Sequence, residues 1–174
     1  MISENRTQHD TRDTIKCLIA VYGSLKEGYW NHDRFCSGAL HIEKATIRGR
    51  LYELPSRIPV LRVPDGDILS VGTSNPVADA AIQQSFEGRV TMATGCNESL
   101  WDMIHGEVIV LPDPRLSLPP IDRLEGFRPG LPSLYRRVLV PVLKNGDEWT
   151  AAWCYVGDDA LCRSLSATGK TCWP

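Results

Sequence analysis

The chain has 174 residues, with 19 basic against 21 acidic side chains and a formal net charge of -2, so it offers no basic face and nucleic acid is excluded as an expected partner. This length supports one well-packed core and is short for two, which predicts a single domain. Its longest apolar runs, such as 138–143, are too short for a membrane helix, and no apolar segment follows the polar start as a secretory signal would require, so a cytoplasmic protein without a membrane partner is expected. None of the six cysteines (Cys17, Cys36, Cys96, Cys154, Cys162 and Cys172) is paired as CxxC and several fall in strand-like runs, which predicts buried free thiols and no metal site.

Residues 1–13 are polar and lack apolar periodicity, the pattern of a flexible leader before a domain spanning 14–174. Residues 17–22 then form a continuous apolar run of strand length, as expected of a strand buried on both faces. The run ends at Gly23. A glycine there lets a ligand approach the backbone, and consecutive amides after a strand can form an anion-binding nest, although a plain turn has the same signature. Asn31 is read as the N-cap of a short helix with Phe35 on its inner face, and His32 as structural or peripheral. Residues 38–54 predict one or two strands, with Gly49 at a bend or a close approach. After a turn at 55–57, residues 58–63 predict a short strand that Pro59 confines to an edge or a bulge.

Residues 64–102 differ in kind, being rich in Gly, Asp, Ser, Asn and Thr around one helix at 76–86. They read as an excursion from the core sheet, either a lid or specificity loop at a pocket mouth or a neutral surface insertion. A strand follows at 104–111, then a proline-rich bridge at 112–120 into a short helix at 121–125. That helix carries the most informative pair in the chain, Glu125-Gly126. Gly126 fits the left-handed residue that ends a helix, and apolar Leu124 and Phe127 flank a carboxylate whose desolvation would make it a general base near neutral pH. A surface glutamate beside a glycine cap would show the same local pattern. Residues 133–143 predict a long strand with Val138, Val140 and Val142 on one face, and Asn145-Gly146 marks a hairpin. Residues 148–156 return antiparallel with Trp149, Ala151, Trp153 and Tyr155 on one face, and 157–174 are expected to wrap irregularly. Strands apolar on both faces, without long helices to cover them, predict an α+β single domain: a mixed six- to seven-stranded β-barrel with short helices at one end.

Five short motifs occur in order: Val21-Tyr22-Gly23-Ser24-Leu25, Gly49-x-Leu51-Tyr52, Gly106-Glu107-Val108, Ile121-Asp122-x-Leu124-Glu125-Gly126 and Tyr135-Arg136-Arg137-Val138-x-Val140. In these the chain resembles the gamma-glutamylcyclotransferase superfamily, in particular the branch with gamma-glutamylamine cyclotransferases and small AIG2-like proteins. The resemblance implies a compact barrel and an intramolecular reaction, in which the α-amino group of a γ-glutamyl unit attacks its own γ-carbonyl and releases an amine and 5-oxoproline. It assigns Glu125 as general acid/base, Tyr22, Gly23, Ser24 and Leu25 as the substrate-binding turn, and Tyr135 as an aromatic lining the pocket. It implies a small γ-glutamyl substrate, no cofactor and no metal. Leu25 stands where the glutathione-directed and γ-glutamyl-amino-acid branches tend to carry Asn, so the departing amine stays open, as does the oligomeric state. Two other readings remain: a small-molecule-binding domain on the same barrel without turnover, and a cysteine-dependent hydrolase using Cys17, Cys36 or Cys154 with His32 or His105.

Overall fold

The computed structural model describes residues 15–91 and 101–174; the expected leader, Cys96 and part of the 64–102 excursion lie outside the described residues. In chain order the elements are β1 (Cys17–Val21), α1 (Trp30–Phe35), β2 (His41–Glu53), β3 (Pro59–Arg62), β4 (Ser70–Val71), α2 (Pro76–Ser85), β5 (Asp102–Leu111), α3 (Pro114–Leu124), β6 (Arg136–Lys144), β7 (Glu148–Val156) and α4 (Asp159–Arg163). The sheet runs β3-β2-β5-β1-β7-β6-β4, and an additional β2–β6 pairing closes it. The result is a closed mixed barrel of the expected kind, with β1–β7 the parallel pair and the hairpin β6–β7 antiparallel across Asn145-Gly146.

Two apolar cores explain why the strands read as continuously hydrophobic. Along β1, Ala20 belongs to the barrel interior while Cys17, Ile19 and Val21 belong to a second core outside it. The alternation repeats on β6, where Val138, Val140 and Val142 point in and Leu139 points out, and on β7, where Ala152 and Cys154 point in and Ala151, Trp153 and Tyr155 point out. Ala80 from α2, Leu118 and Ile121 from α3, and Cys36 beyond α1 complete the outer core. Short helices therefore suffice, because they cover one outer face of the barrel and leave the rest of it to close on itself.

Pro59 sits on an edge strand, and Gly49 is required by a close approach: a Cβ there would lie 2.6 Å from the Arg62 carbonyl oxygen. Four expectations need correction. Residues 112–120 are not a bridge, since α3 begins at Pro114, with the Asp113 carboxylate accepting from the Arg115 amide at 2.9 Å. Proline at the first helical position costs no hydrogen bond, which is why a helix starts where the composition suggested a linker. Asn31 is not the cap of α1; Tyr29 holds that position and Asn31 lies inside the helix. The C-terminal stretch includes α4, capped by Asp158. Finally, the described part of the excursion is built into the fold. Its β4 pairs with β6, Asp67 forms a buried ion pair with Arg48 of β2, and α2 buries Asp79, Ala80 and Gln83.

Candidate active site

The site begins where β1 leaves the sheet. A Cβ on Gly106 of β5 would lie 2.2 Å from the Val21 carbonyl oxygen, so glycine at that position lets the strand end pack flat before it turns. The turn is closed by the Lys26 amide donating to the Gly23 carbonyl at 3.1 Å. Among the described residues, no acceptor meets the amide N–H groups of Gly23, Ser24 or Leu25. Unused donors of this kind, following one another in a turn, form an anion-binding concavity.

Side chains fix this turn from behind. The Asn31 Nδ2 donates to Ser24 Oγ at 2.7 Å, and His32 Nδ1 donates to the Leu25 carbonyl at 2.9 Å. His32 is thus a buried support, as the sequence indicated, and no catalytic base. The Tyr22 hydroxyl donates to the Tyr155 carbonyl at 2.9 Å and accepts from the Leu61 amide at 3.1 Å. Its ring lines the cleft while its hydroxyl is fully used within the protein. Leu25 has its side chain in the outer core, so only its amide is available to a ligand. Gly23 is not in the left-handed region; an added Cβ would lie 3.1 Å from Pro59 Cγ, a tight contact that a small shift of the proline ring relieves.

Across the cleft, Glu125 caps α3 and Gly126 follows with φ +65°. The turn is locked by the Glu125 amide donating to the Ile121 carbonyl at 2.9 Å and the Phe127 amide to the Asp122 carbonyl at 2.9 Å. Glu125 as a whole is half-buried, and its carboxyl is the part withdrawn from water: burial pushes it up to about 7. No hydrogen bond or ion pair among the described residues holds that carboxyl, so nothing favours its charged form. The Tyr135 hydroxyl donates to the Pro59 carbonyl at 2.7 Å, and burial together with the Glu125 charge raises its pKa.

These groups meet in one narrow cleft of about 50 Å³, lined by Ala20, Val21, Tyr22, Gly23, Ser24, Leu25, Ile58, Pro59, Glu125, Tyr135 and Tyr155. All six residues assigned to the site are in that lining. Ile58, Pro59 and Tyr155 were missed from the sequence, as was the supporting role of Asn31. A proline on an edge strand gives no local sign that its carbonyl will anchor a tyrosine 76 residues away. No residue of the described part of 64–102 lines the cleft. A larger hollow of about 320 Å³ between α2 and the ends of β1 and β7 holds none of the assigned residues.

The thiols have different surroundings. Burial pushes Cys17 and Cys36 up to about 12 and raises Cys154 as well, so all three stay protonated and unreactive at neutral pH. Among the described residues, no three of His, Cys, Asp and Glu come together as a metal site, and no helix is long and apolar enough to cross a membrane.

A family model described as Gamma-glutamyl cyclotransferase, AIG2-like matches residues 19–84. The match contains the turn after β1 and stops before Glu125 and Tyr135. None of the curated proteins matches the chain. Among solved structures, an AIG2-like protein from Mus musculus, also called GGACT, superposes with a TM-score of 0.53 at 17% identity, covering 91% of this chain and 88% of the other. YkqA from Bacillus subtilis superposes with a TM-score of 0.52 at 18% identity, covering 91% of this chain and 39% of that one. At such identities the superpositions speak for the fold alone, and the family model agrees with the resemblance over residues 19–84, which hold the first two of the five motifs.

Proposed function

We infer that this chain, a relative of the AIG2-like gamma-glutamyl cyclotransferases, is an enzyme that cyclises a γ-glutamyl amine or peptide to 5-oxoproline and releases the amine. The observation that carries this reading is a single carboxyl pushed up to about 7 facing a turn of unused amides across an apolar cleft. The neutral α-amino nitrogen of the substrate bonds to its own γ-carbonyl carbon while Glu125 takes its proton. The C–N bond to the departing amine then breaks as Glu125 returns that proton, so the carboxylate ends as it began. A group that must both accept and donate works best with a pKa near the working pH. The amides of Gly23, Ser24 and Leu25 are the donors for the substrate carboxylate or the oxyanion that develops on the γ-carbonyl. Tyr22, Tyr135 and Tyr155 wall the site and keep it apolar, which maintains the raised carboxyl and strengthens these hydrogen bonds.

A pocket kept for binding alone has no need of a carboxylate balanced near neutrality, and protonated thiols leave a cysteine nucleophile without support. Free buried thiols fit a reducing compartment, so the cytoplasm is the proposed location. The test is direct. Purified protein is incubated with a panel of γ-glutamyl amines, amino acids and peptides, and 5-oxoproline is measured; formation from at least one of them supports the reading, and binding of the panel without any 5-oxoproline would favour the binding domain.

A further inference from the structure

Among the described residues Glu125 has no direct partner for its carboxyl, so its aim into the cleft depends on the turn that carries it. One side chain grips that turn from both sides. Upstream, both carboxylate oxygens of Asp122 accept from Arg137 Nη1 at 2.6 Å each. Downstream, the Arg137 guanidinium lies 5.1 Å from the centre of the Phe127 ring. Asp122 also accepts from the Tyr155 hydroxyl at 2.7 Å, and Tyr155 is itself a wall of the cleft.

Arg137 has no freedom of its own. It is completely buried, with Trp153 against it at 5.6 Å, and its Nη2 donates to the Thr73 carbonyl at 2.9 Å and to Asp79 of α2. Asp79 in turn accepts from the Thr73 amide at 2.9 Å and the Thr73 hydroxyl at 2.8 Å. Gly72 makes room, since a Cβ there would sit 2.7 Å from Arg137 Nε. The chain of contacts thus runs from α2 through β6 to α3 and ends one helical turn from Glu125. A buried ion cluster is a poor way to add stability, because apolar side chains of the same volume serve at least as well. It is a good way to fix one geometry, since each carboxylate has a single set of donors in reach.

We propose that Arg137, acting through Asp122 and Tyr155, is a positioning residue that holds the Glu125 carboxyl in its productive place, a proposal that rests on Glu125 being the general acid/base. The α2 helix then has a part in the site without touching it, through Asp79. Substrate affinity is set elsewhere, by the amides after β1, so loosening the grip lowers turnover and leaves ligand binding in place.

Tyr155→Phe and Asp122→Asn test this. The first removes one hydroxyl and keeps the ring and both ion pairs; the second keeps an acceptor for Arg137 and removes the charge. For each variant, kcat, the dissociation constant for 5-oxoproline and the titration of Glu125 by carbon-13 carboxyl NMR are measured. The expected result is a loss in kcat on the order of 10- to 100-fold, as small misplacements of a reacting group produce, with affinity for 5-oxoproline within about threefold of wild type. The Glu125 titration should move from about 7 toward the ordinary carboxylate range as water reaches the loosened turn. A lower melting temperature with wild-type kcat and an unchanged Glu125 titration in both variants would overturn the proposal, because the cluster would then serve the fold only. If the wild type cyclises nothing, the proposed activity fails. The titration still decides: a shift in either variant supports the positioning role, and none in both refutes it.

Discussion

Glu125→Gln separates the chemistry of the cleft from what that chemistry costs the fold. In the folded protein burial moves the Glu125 carboxyl from 4.5 to about 7. Between those two values the folded state keeps a proton that the unfolded chain has released, so stability falls as pH rises through this window and stays lower above it. The difference corresponds to roughly 3 kcal/mol at full burial, reduced in practice by water at the mouth of the cleft. Glutamine is neutral throughout, so the variant escapes the penalty. Its stability relative to wild type should therefore rise from pH 4.5 to pH 8 by up to roughly 3 kcal/mol, which for a chain of this size is a gain of about 2–4 °C in melting temperature per kcal/mol. In the same protein 5-oxoproline formation should fall on the order of 10²- to 10⁴-fold, since glutamine cannot carry a proton. Thermal unfolding of both proteins at pH 4.5 and pH 8, alongside turnover of the best γ-glutamyl compound, reads both effects. A melting-temperature difference that is the same at the two pH values would show that Glu125 is not desolvated. Near wild-type turnover would remove it from the mechanism.

Three further outcomes follow from the same geometry. The carboxylate form of Glu125 and the neutral α-amino group of the substrate are both needed, so kcat/KM should rise steeply with pH up to about 7 and go on rising more gently until the substrate amine is free, near its ordinary value of about 8; a flat profile from pH 5 to 8 would contradict the assignment. An added Cβ at Gly23 meets only the Pro59 ring, at 3.1 Å, so Gly23→Ala should bind 5-oxoproline nearly as wild type while Gly23→Val, filling the cleft, should not bind it measurably by calorimetry; equal affinity for both would place the site elsewhere. Replacing 64–102 with a short Gly-Ser link should abolish cooperative unfolding, because it removes β4, the buried face of α2 and the carboxylates of Asp79 and Asp67 that pair with the buried Arg137 and Arg48. A folded product would show that the segment is peripheral after all.

What could be read from the sequence was local, and what could not was long-range. The walls around the Glu125 carboxyl, Tyr22, Pro59, Tyr135 and Tyr155, come from distant segments and its neighbour Leu124 is exposed, whereas Glu125-Gly126 announced the helix end because a glycine cap is a local signal. Pro59 announced an edge strand and Asn145-Gly146 a hairpin for the same reason. The described part of 64–102 is tied into the fold although its composition is that of a surface loop. Its polar residues are spent on partners far along the chain: Asp79 pairs with Arg137 across 58 residues, and Asp67 with Arg48. Gln83 likewise donates to the Leu18 carbonyl at 2.8 Å and to the Ala151 carbonyl at 3.0 Å. Polarity that satisfies buried groups cannot be told locally from polarity that faces water. The start of α3 was hidden differently. Pro119 and Pro120 lie inside the helix, where each deletes an amide donor, and the residues four positions earlier, Arg115 and Leu116, are on its exposed side. Two prolines in a row were therefore compatible with a helix because the loss falls where water can compensate.

The place of the cleft in the barrel follows from where strands stop. Val21 is the last residue of β1 and stands opposite Glu107, whereas β5 runs on through residues 102–106, paired with β2 and bridged at His105 by Cys172 of the C-terminal stretch, with the His105 amide donating to the Thr171 carbonyl at 2.7 Å. Beyond Val21 the chain leaves the side of β5, where the C-terminal stretch takes its place at His105, and among the described residues the amides of Gly23, Ser24 and Leu25 are left without acceptors because the strand that would have used them in a ladder has turned away. Tyr22 marks the crossing: Val21 packs in the outer core and Tyr22 in the inner one, with its hydroxyl tied to β7 and β3. The α3 helix, covering the outer core, delivers Glu125 to the same seam. Donors released by an ending strand and an acid presented by an ending helix meet there because both elements terminate at one rim. A substitution that extends β1 past Val21 would pair those amides within the sheet and should extinguish ligand binding while leaving both cores, and hence the fold, intact.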